Sequence, residues 1–146
     1  MELNLAGRKA LITGGSAGIG FAIASELARE GADVAIAARD KGRLNKAAED
    51  IAKGTNVRIV PIPGDMSREP DTEQVSAAAT DALGQIDILV NNAGSAPAGK
   101  LEAMPNEDWQ YAIDLKLMGY VRMARALVPA MRARKWGRVI NIVGRL

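Results

Sequence analysis

Short apolar runs recur along this chain, each followed by a longer amphipathic segment, and that alternation limits the fold more than any other feature. The runs Lys9–Thr13, Val34–Ala38, Val57–Ile62, Ile86–Val90 and Arg138–Val143 read as strands. Between them, Gly18–Glu30 reads as a helix with Ile19, Ile23 and Leu27 at spacing four, and Gly31 ends it. Lys41–Lys53 reads as a second helix, opened by Asp40 as N-cap and closed by Gly54. A third covers roughly Asp71–Leu83, and a long fourth runs from about Pro105 to Arg134 with a kink expected at Pro129. Gly94–Met104 is a loop. Strands alternating with helices predict an α/β architecture, a doubly wound parallel sheet with helices on both faces and about five strands.

The chain has 146 residues, which predicts one domain over 1–146. It contains neither Cys nor His. Disulfides, Cys/His zinc sites and any nucleophile or base built on those residues are thereby excluded, and no metal site is expected. Phe21, Trp109, Trp136, Tyr111 and Tyr120 are the only aromatics, so the core must be aliphatic. A net charge of +2 is too small to point to nucleic acid. The N-terminus has no basic region followed by an apolar run, and no stretch approaches the roughly 20 residues of a membrane span. The expectation is a soluble, cytoplasmic protein without a membrane partner.

Two motifs fall at the carboxyl ends of strands. The first strand runs into Thr13-Gly14-Gly15-Ser16-Ala17-Gly18-Ile19-Gly20. Gly14 permits a tight turn, Gly18 lets backbone approach a ligand, and Gly20 lets the helix pack close to the strand. The helix N-terminus then offers free N–H groups and a positive dipole end to a pyrophosphate. No Gly-Lys-Ser/Thr follows, which excludes a P-loop. The second motif, Asn91-Asn92-Ala93-Gly94, follows the fourth strand. In an open α/β sheet it lies on the same edge as the glycine loop, where ligands bind.

With these motifs in place, the chain resembles the short-chain dehydrogenase/reductase family, whose fold is the Rossmann type of doubly wound sheet. Thr13–Gly20 reads as that family's TGxxxGxG loop and Asn91–Gly94 as its NNAG motif. Asp65, Trp109 and the segment Gly137–Ile142 match as well, so the resemblance covers Leu5–Leu146. It implies NAD(P)-dependent oxidation of an alcohol or reduction of a carbonyl, and the subgroup resembles the 3-oxoacyl-carrier-protein-reductase-like and alcohol/steroid dehydrogenase-like members. By that resemblance Asp65 and Met66 flank an adenine, and Asn92, Ala93 and Gly94 line the inner ribose. The glycine-loop residues Gly14, Gly15, Ser16, Gly18, Ile19 and Gly20 complete the expected cofactor contacts.

The second strand ends in Ala37-Ala38-Arg39-Asp40. An NAD binder usually places an acid at this tip, where the chain has Ala38. Arg39 suits a 2′-phosphate, with Lys41 and Arg43 adding positive potential. NADP is therefore expected; NAD stays open through Asp40, which could serve the ribose instead.

The family's acid–base chemistry uses a Ser, a Tyr and a Lys four residues after the Tyr, often with an Asn on the long helix. This chain departs from that pattern. Leu115 and Ala124 follow Tyr111 and Tyr120 at that distance, Gly144 stands at the Ser position, and Lys116 at the Asn position. Lys116 reads equally as a relay contact or a snorkelling helix lysine. No catalytic residue can be named. The expectation is that the chain is the N-terminal part of a longer reductase, with the C-terminal part of the fold missing, the fifth strand left as an edge, and no activity of its own. Its expected partners are a small carbonyl or alcohol substrate, the missing C-terminal segment and a second copy of itself. The alternative is a truncated nucleotide-binding module without catalysis. The basic run Met131–Arg138 with Trp136 could suit an anionic surface. It reads more simply as a helix C-terminus favoured by the dipole, so no nucleic-acid partner is expected. Tyr120, Met123, Leu127 and Met131 recur every three or four residues and could face a second copy or their own sheet.

Overall fold

Side chains on a strand point alternately to opposite faces, and here that alternation builds two cores. The computed structural model describes residues 3–95 and 97–144. It contains β1 (Lys9–Thr13), α1 (Gly18–Arg29), β2 (Asp33–Ala38), α2 (Lys41–Ala52), β3 (Ile59–Pro63), α3 (Glu69–Leu83), β4 (Ile88–Asn91), α4 (Asn106–Ala112), a π-helical segment (Ile113–Met118), α5 (Gly119–Ala133) and β5 (Arg138–Asn141). The strands form one parallel sheet in the order β3-β2-β1-β4-β5. Ala10, Ile12, Val34, Ile36 and Val90 pack on one face beneath α1 and α2. Leu11, Ala35, Ala37 and Leu89 pack on the other, beneath α3 and α5. The doubly wound Rossmann architecture expected from the alternation is the one observed.

The departures have local causes. The apolar positions of α1 at spacing four are Ile19, Ile23 and Leu27, with Phe21 and Ala24 beside them; the fully buried residues are Gly20, Ala24 and Ala28, and Ile19 is 61% exposed. Small side chains at the line of contact let α1 lie close to the strands, while Phe21, Ile23 and Leu27 flank that line half-buried against the same core and Ile19 is left outside it. Helix α3 starts two residues before Asp71, because Pro70 in the first turn needs no N–H partner there. Asp40 caps α2 as expected, its carboxylate accepting from the Arg43 N–H at 2.9 Å.

Strand β3 runs to Pro63 and includes Pro61, yet pairs with β2 throughout. The Arg58 carbonyl accepts from Val34 N–H and the Gly64 N–H donates to the Ala38 carbonyl. Even-numbered residues thus bond β2, and both prolines turn their missing donors to the open edge, which blunts it against further pairing.

The long helix is continuous from Asn106 to Ala133, and α5 runs through Pro129. A departure from α geometry that the sequence reading did not include is the π segment at Ile113–Met118. Met123, Leu127 and Met131 are buried in the molecule's own core, which settles the direction of that stripe. Strand β5 ends at Asn141 rather than Val143, and its four residues are exposed at the sheet edge.

Candidate functional site

The chain order β1, β2, β3 runs outward on one side of β1, then β4 returns to its other side. Loops leaving β1 and β4 must therefore part, and a crevice opens at the carboxyl ends of the strands. The glycine loop and the Asn-Asn-Ala-Gly turn form its floor. Thr13, buried at the end of β1, accepts through Oγ1 from the N–H groups of Asn92 and Ala93, both at 3.0 Å. The Asn92 side-chain amide donates back to the carbonyls of Thr13 at 3.1 Å and Gly14 at 3.2 Å. These four bonds lock the two loops together without using any N–H at the start of α1.

Two glycines hold positions that a larger residue could not. Gly14 has φ +68°, and a Cβ there would lie 2.9 Å from Ala93 Cα. A Cβ on Gly20 would meet the Gly14 carbonyl oxygen and lie 2.5 Å from Asn92 Nδ2. Gly18 differs: its φ is +56° and nothing lies within 4 Å of its Cβ position, so its left-handed turn opens the backbone to solvent. No side chain caps α1, whose N-cap is Ala17. Its first N–H groups and the positive end of its dipole face outward, an arrangement suited to an anion.

Above this floor is a cavity of about 560 Å³, lined by Gly14, Ser16, Ala38, Arg39, Asp40, Arg43, Gly64, Asp65, Met66, Ala93, Gly94, Ser95 and Leu115. Of the residues expected from sequence, Gly14, Ser16, Arg39, Asp65, Met66, Ala93 and Gly94 line it. Gly15, Gly18, Ile19, Gly20 and Asn92 do not: Gly15 packs against Ile36, Gly20 and Asn92 build the floor, and Gly18 and Ile19 open α1 beside it. Arg39 and Arg43 are the cationic residues of that lining. Gly64, Ser95 and Leu115 were not foreseen. Gly64 follows Pro63 at the end of β3 and carried a readable turn signal; Leu115 looked like any core leucine of the long helix.

Asp65 is already engaged: its Oδ1 accepts from Ser67 N–H at 2.9 Å and Ser67 Oγ at 2.7 Å. Its own N–H donates to Asp71 Oδ2 at 2.8 Å, which fixes the wall formed by Gly64, Asp65 and Met66. The π segment presents Leu115 to the cavity and runs Lys116 beneath Gly94, where a Cβ would lie 2.6 Å from Lys116 Cδ. Lys116 Nζ donates to Tyr120 Oη at 3.2 Å and to the Ile142 carbonyl at 3.3 Å, while Tyr120 Oη donates to that carbonyl at 2.8 Å. Lys116 and Tyr120 thus tie the long helix to the end of β5. Gly144 is exposed, with nothing near its Cβ position. Part of the basic run at the end of α5 is engaged in the fold: Arg134 donates to the Ile86 carbonyl, and Trp136 lies under Arg8 and Arg138. Among the described residues, no cluster suited to a metal ion occurs.

A parallel doubly wound sheet with an anion-suited glycine loop at its switch point is the arrangement of the Rossmann class of folds. Comparison with known proteins narrows that class. The short chain dehydrogenase family model matches residues 8–145, and the chain belongs to that family. It is 35% identical over 139 residues to D-beta-hydroxybutyrate dehydrogenase of Cupriavidus necator, covering 94% of this chain and 53% of the relative. It is 38% identical over 135 residues to a 3-dehydrosphinganine reductase of Arabidopsis thaliana, covering 92% of this chain and 40% of that one. Among solved structures, L-sorbose reductase from Gluconobacter frateurii, complexed with NADPH and L-sorbose, superposes with a TM-score of 0.93 at 38% identity, covering 97% of this chain and 54% of its own. A metagenomic short-chain oxidoreductase in complex with NADP gives a TM-score of 0.90 at 35% identity, covering 97% of this chain and 64% of its own. The chain spans about half the length of the curated relatives it matches.

Proposed function

We propose that these residues form the cofactor-binding part of an NADP(H)-dependent oxidoreductase that reduces a small carbonyl or oxidises an alcohol. The observation that carries this reading is the cavity at the switch point, lined by both the glycine loop and the cationic residues Arg39 and Arg43. The opened backbone at Gly18 and the uncapped start of α1 suit a diphosphate, and the two guanidinium groups suit a 2′-phosphate. Gly14, Gly15, Ser16, Gly18, Ile19 and Gly20 would hold the diphosphate end, Asp65 and Met66 the adenine, and Asn92, Ala93 and Gly94 the inner ribose. When bound, the nicotinamide supplies a hydride donor or acceptor.

The chain's own part is binding and orientation. Neither Tyr111 nor Tyr120 has a Lys four residues on, so the family's acid–base pair is not among these residues. On this reading the 1–146 segment is one cofactor-binding domain that acts with a further segment carrying that pair and is inactive alone. The departures at Lys116 and Gly144 favour a second reading, a nucleotide-binding module without catalysis. A cytoplasmic location fits a pyridine-nucleotide enzyme; no helix among the described residues is long and apolar enough to cross a membrane. Trp109, Ile113, Leu117 and Val121, exposed at intervals of four along the long helix, support pairing with a second copy.

Titration of the purified chain with NADPH and NADH, followed by calorimetry, tests the proposal. The expected result is at least about tenfold tighter binding of NADPH, as charge-assisted bonds to the phosphate imply, with the difference abolished in Arg39→Ala. Equal affinities, or no binding of either, would overturn it. Carbonyl reduction on mixing with a separately made family C-terminal segment would favour the reductase over the module; binding without any rescue would favour the module.

A further inference from the structure

We infer that Tyr111 is a positioning residue for Arg39 and thereby sets how strongly the site discriminates for a 2′-phosphate; this rests on the cofactor reading proposed above. Arg39 leaves the tip of β2 and is exposed, so an unrestrained side chain there would sample many rotamers. In the structure its Nη1 donates to Tyr111 Oη at 3.0 Å, across 72 positions of sequence. Tyr111 belongs to α4, and its ring is partly buried against the core beneath α3 and α5. A ring anchored in this way, with two side-chain torsions, offers a hydroxyl at a fixed place.

The chemistry of that contact is suited to preparing a cation. A neutral hydroxyl takes one of five guanidinium N–H donors and leaves the charge and the other four available. Carboxylates lie close by. Asp65 and Asp71 line an adjoining recess together with Arg39, and either would neutralise the guanidinium if it swung that way. Tyr111 holds it at the cavity rim instead. The ordering cost of an arginine is then met before the ligand arrives, which raises affinity only for a ligand that uses the arginine.

The test is a binding series on the full chain using NADPH, NADH, adenosine 2′,5′-bisphosphate and AMP. Tyr111→Phe keeps the ring and removes only the hydroxyl; its thermal midpoint is measured alongside. The expected result is NADPH and the bisphosphate weakened about three- to tenfold, the range that ordering one long side chain implies. NADH and AMP should stay within about twofold, and Tyr111→Phe should add nothing on an Arg39→Ala background, as a coupled pair requires. Unchanged NADPH affinity, or equal weakening of all four ligands, would overturn the role of Tyr111. If Arg39→Ala still removes the NADPH preference in that case, the cofactor reading stands without it. If Arg39→Ala has no effect, the NADP reading fails and Tyr111 falls with it.

Discussion

The two ends of the parallel sheet are built from different materials. At the carboxyl end, the loops after β1 and β4 are joined by backbone groups and the neutral Thr13 and Asn92 side chains, and the first N–H groups of α1 face out. At the amino end, charged side chains close the structure. Asp33, at the start of β2, pairs with Lys9 and with Arg58, whose Nη2 lies 2.9 Å away, and accepts the Arg58 backbone N–H at 2.8 Å. Buried Asp87 accepts from Lys9 N–H at 3.0 Å and Gln85 Nε2 at 2.7 Å, with Arg134 nearby at 3.9 Å. Burial alone would raise the Asp33 pKa, but the hydrogen bonds from Lys9 and Arg58 outweigh it and hold it at about 2, below its ordinary 3.8. The difference teaches how the fold divides its work: charge pairs close the amino end of the central strands, while neutral bonds join the glycine loop to the Asn-Asn-Ala-Gly turn and leave the α1 N–H groups unengaged.

That division can be broken at either end. Gly20→Val should have the largest effect, because its side chain drives into the Gly14 carbonyl and Asn92. A loss of about 2–3 kcal/mol is expected, the range for overpacking, read as a fall in the urea midpoint; an unchanged midpoint would show that the α1 contact is loose. Asp33→Ala should cost about 2 kcal/mol by leaving partly buried donors unmatched. Cofactor affinity should stay within about twofold, and a large drop in affinity would deny the separation of the two ends.

Acid probes the same latch without mutation. The folded pKa of Asp33 lies below the unfolded value, so its contribution is full above about pH 4 and fades as pH falls toward 2. The contribution is on the order of 1–2 kcal/mol, discounted for the exposure of Arg58. It should vanish from the acid limb of the stability curve in Asp33→Asn; an unaltered acid limb would exclude Asp33 as its source. Gly18→Ala should be mildest in stability, about 1 kcal/mol for a left-handed non-glycine residue. Its NADPH affinity should fall by more than that, since the opened backbone is where a diphosphate would approach. Equal losses would reduce Gly18 to a turn residue.

Much of this was legible in the sequence, for reasons that also mark where legibility stopped. The parallel, doubly wound sheet followed from alternation, because only parallel pairing buries runs such as Val34–Ala38 on both faces. The glycine loop was legible because Gly14 and Gly20 answer to local backbone geometry and close packing. The face of α1 was legible in part: Ile23 and Leu27 do pack on the core, but its deepest positions are Gly20, Ala24 and Ala28, because small residues allow the closest approach to the strands. The π segment was hidden because Met123, Leu127 and Met131 keep the same spacing whether or not one turn before them widens. Links between distant positions, Arg39 with Tyr111 and Asp33 with Lys9 and Arg58, exist only once the sheet has formed.

Amide chemical-shift mapping of the chain titrated with NADPH tests the division of the sheet most directly. The account predicts shifts at Gly14–Gly20, Arg39, Asp65 and Asn92–Gly94, with Lys9, Asp33, Arg58 and Asp87 unmoved. Shifts concentrated at the amino end, or around Trp136, would contradict it.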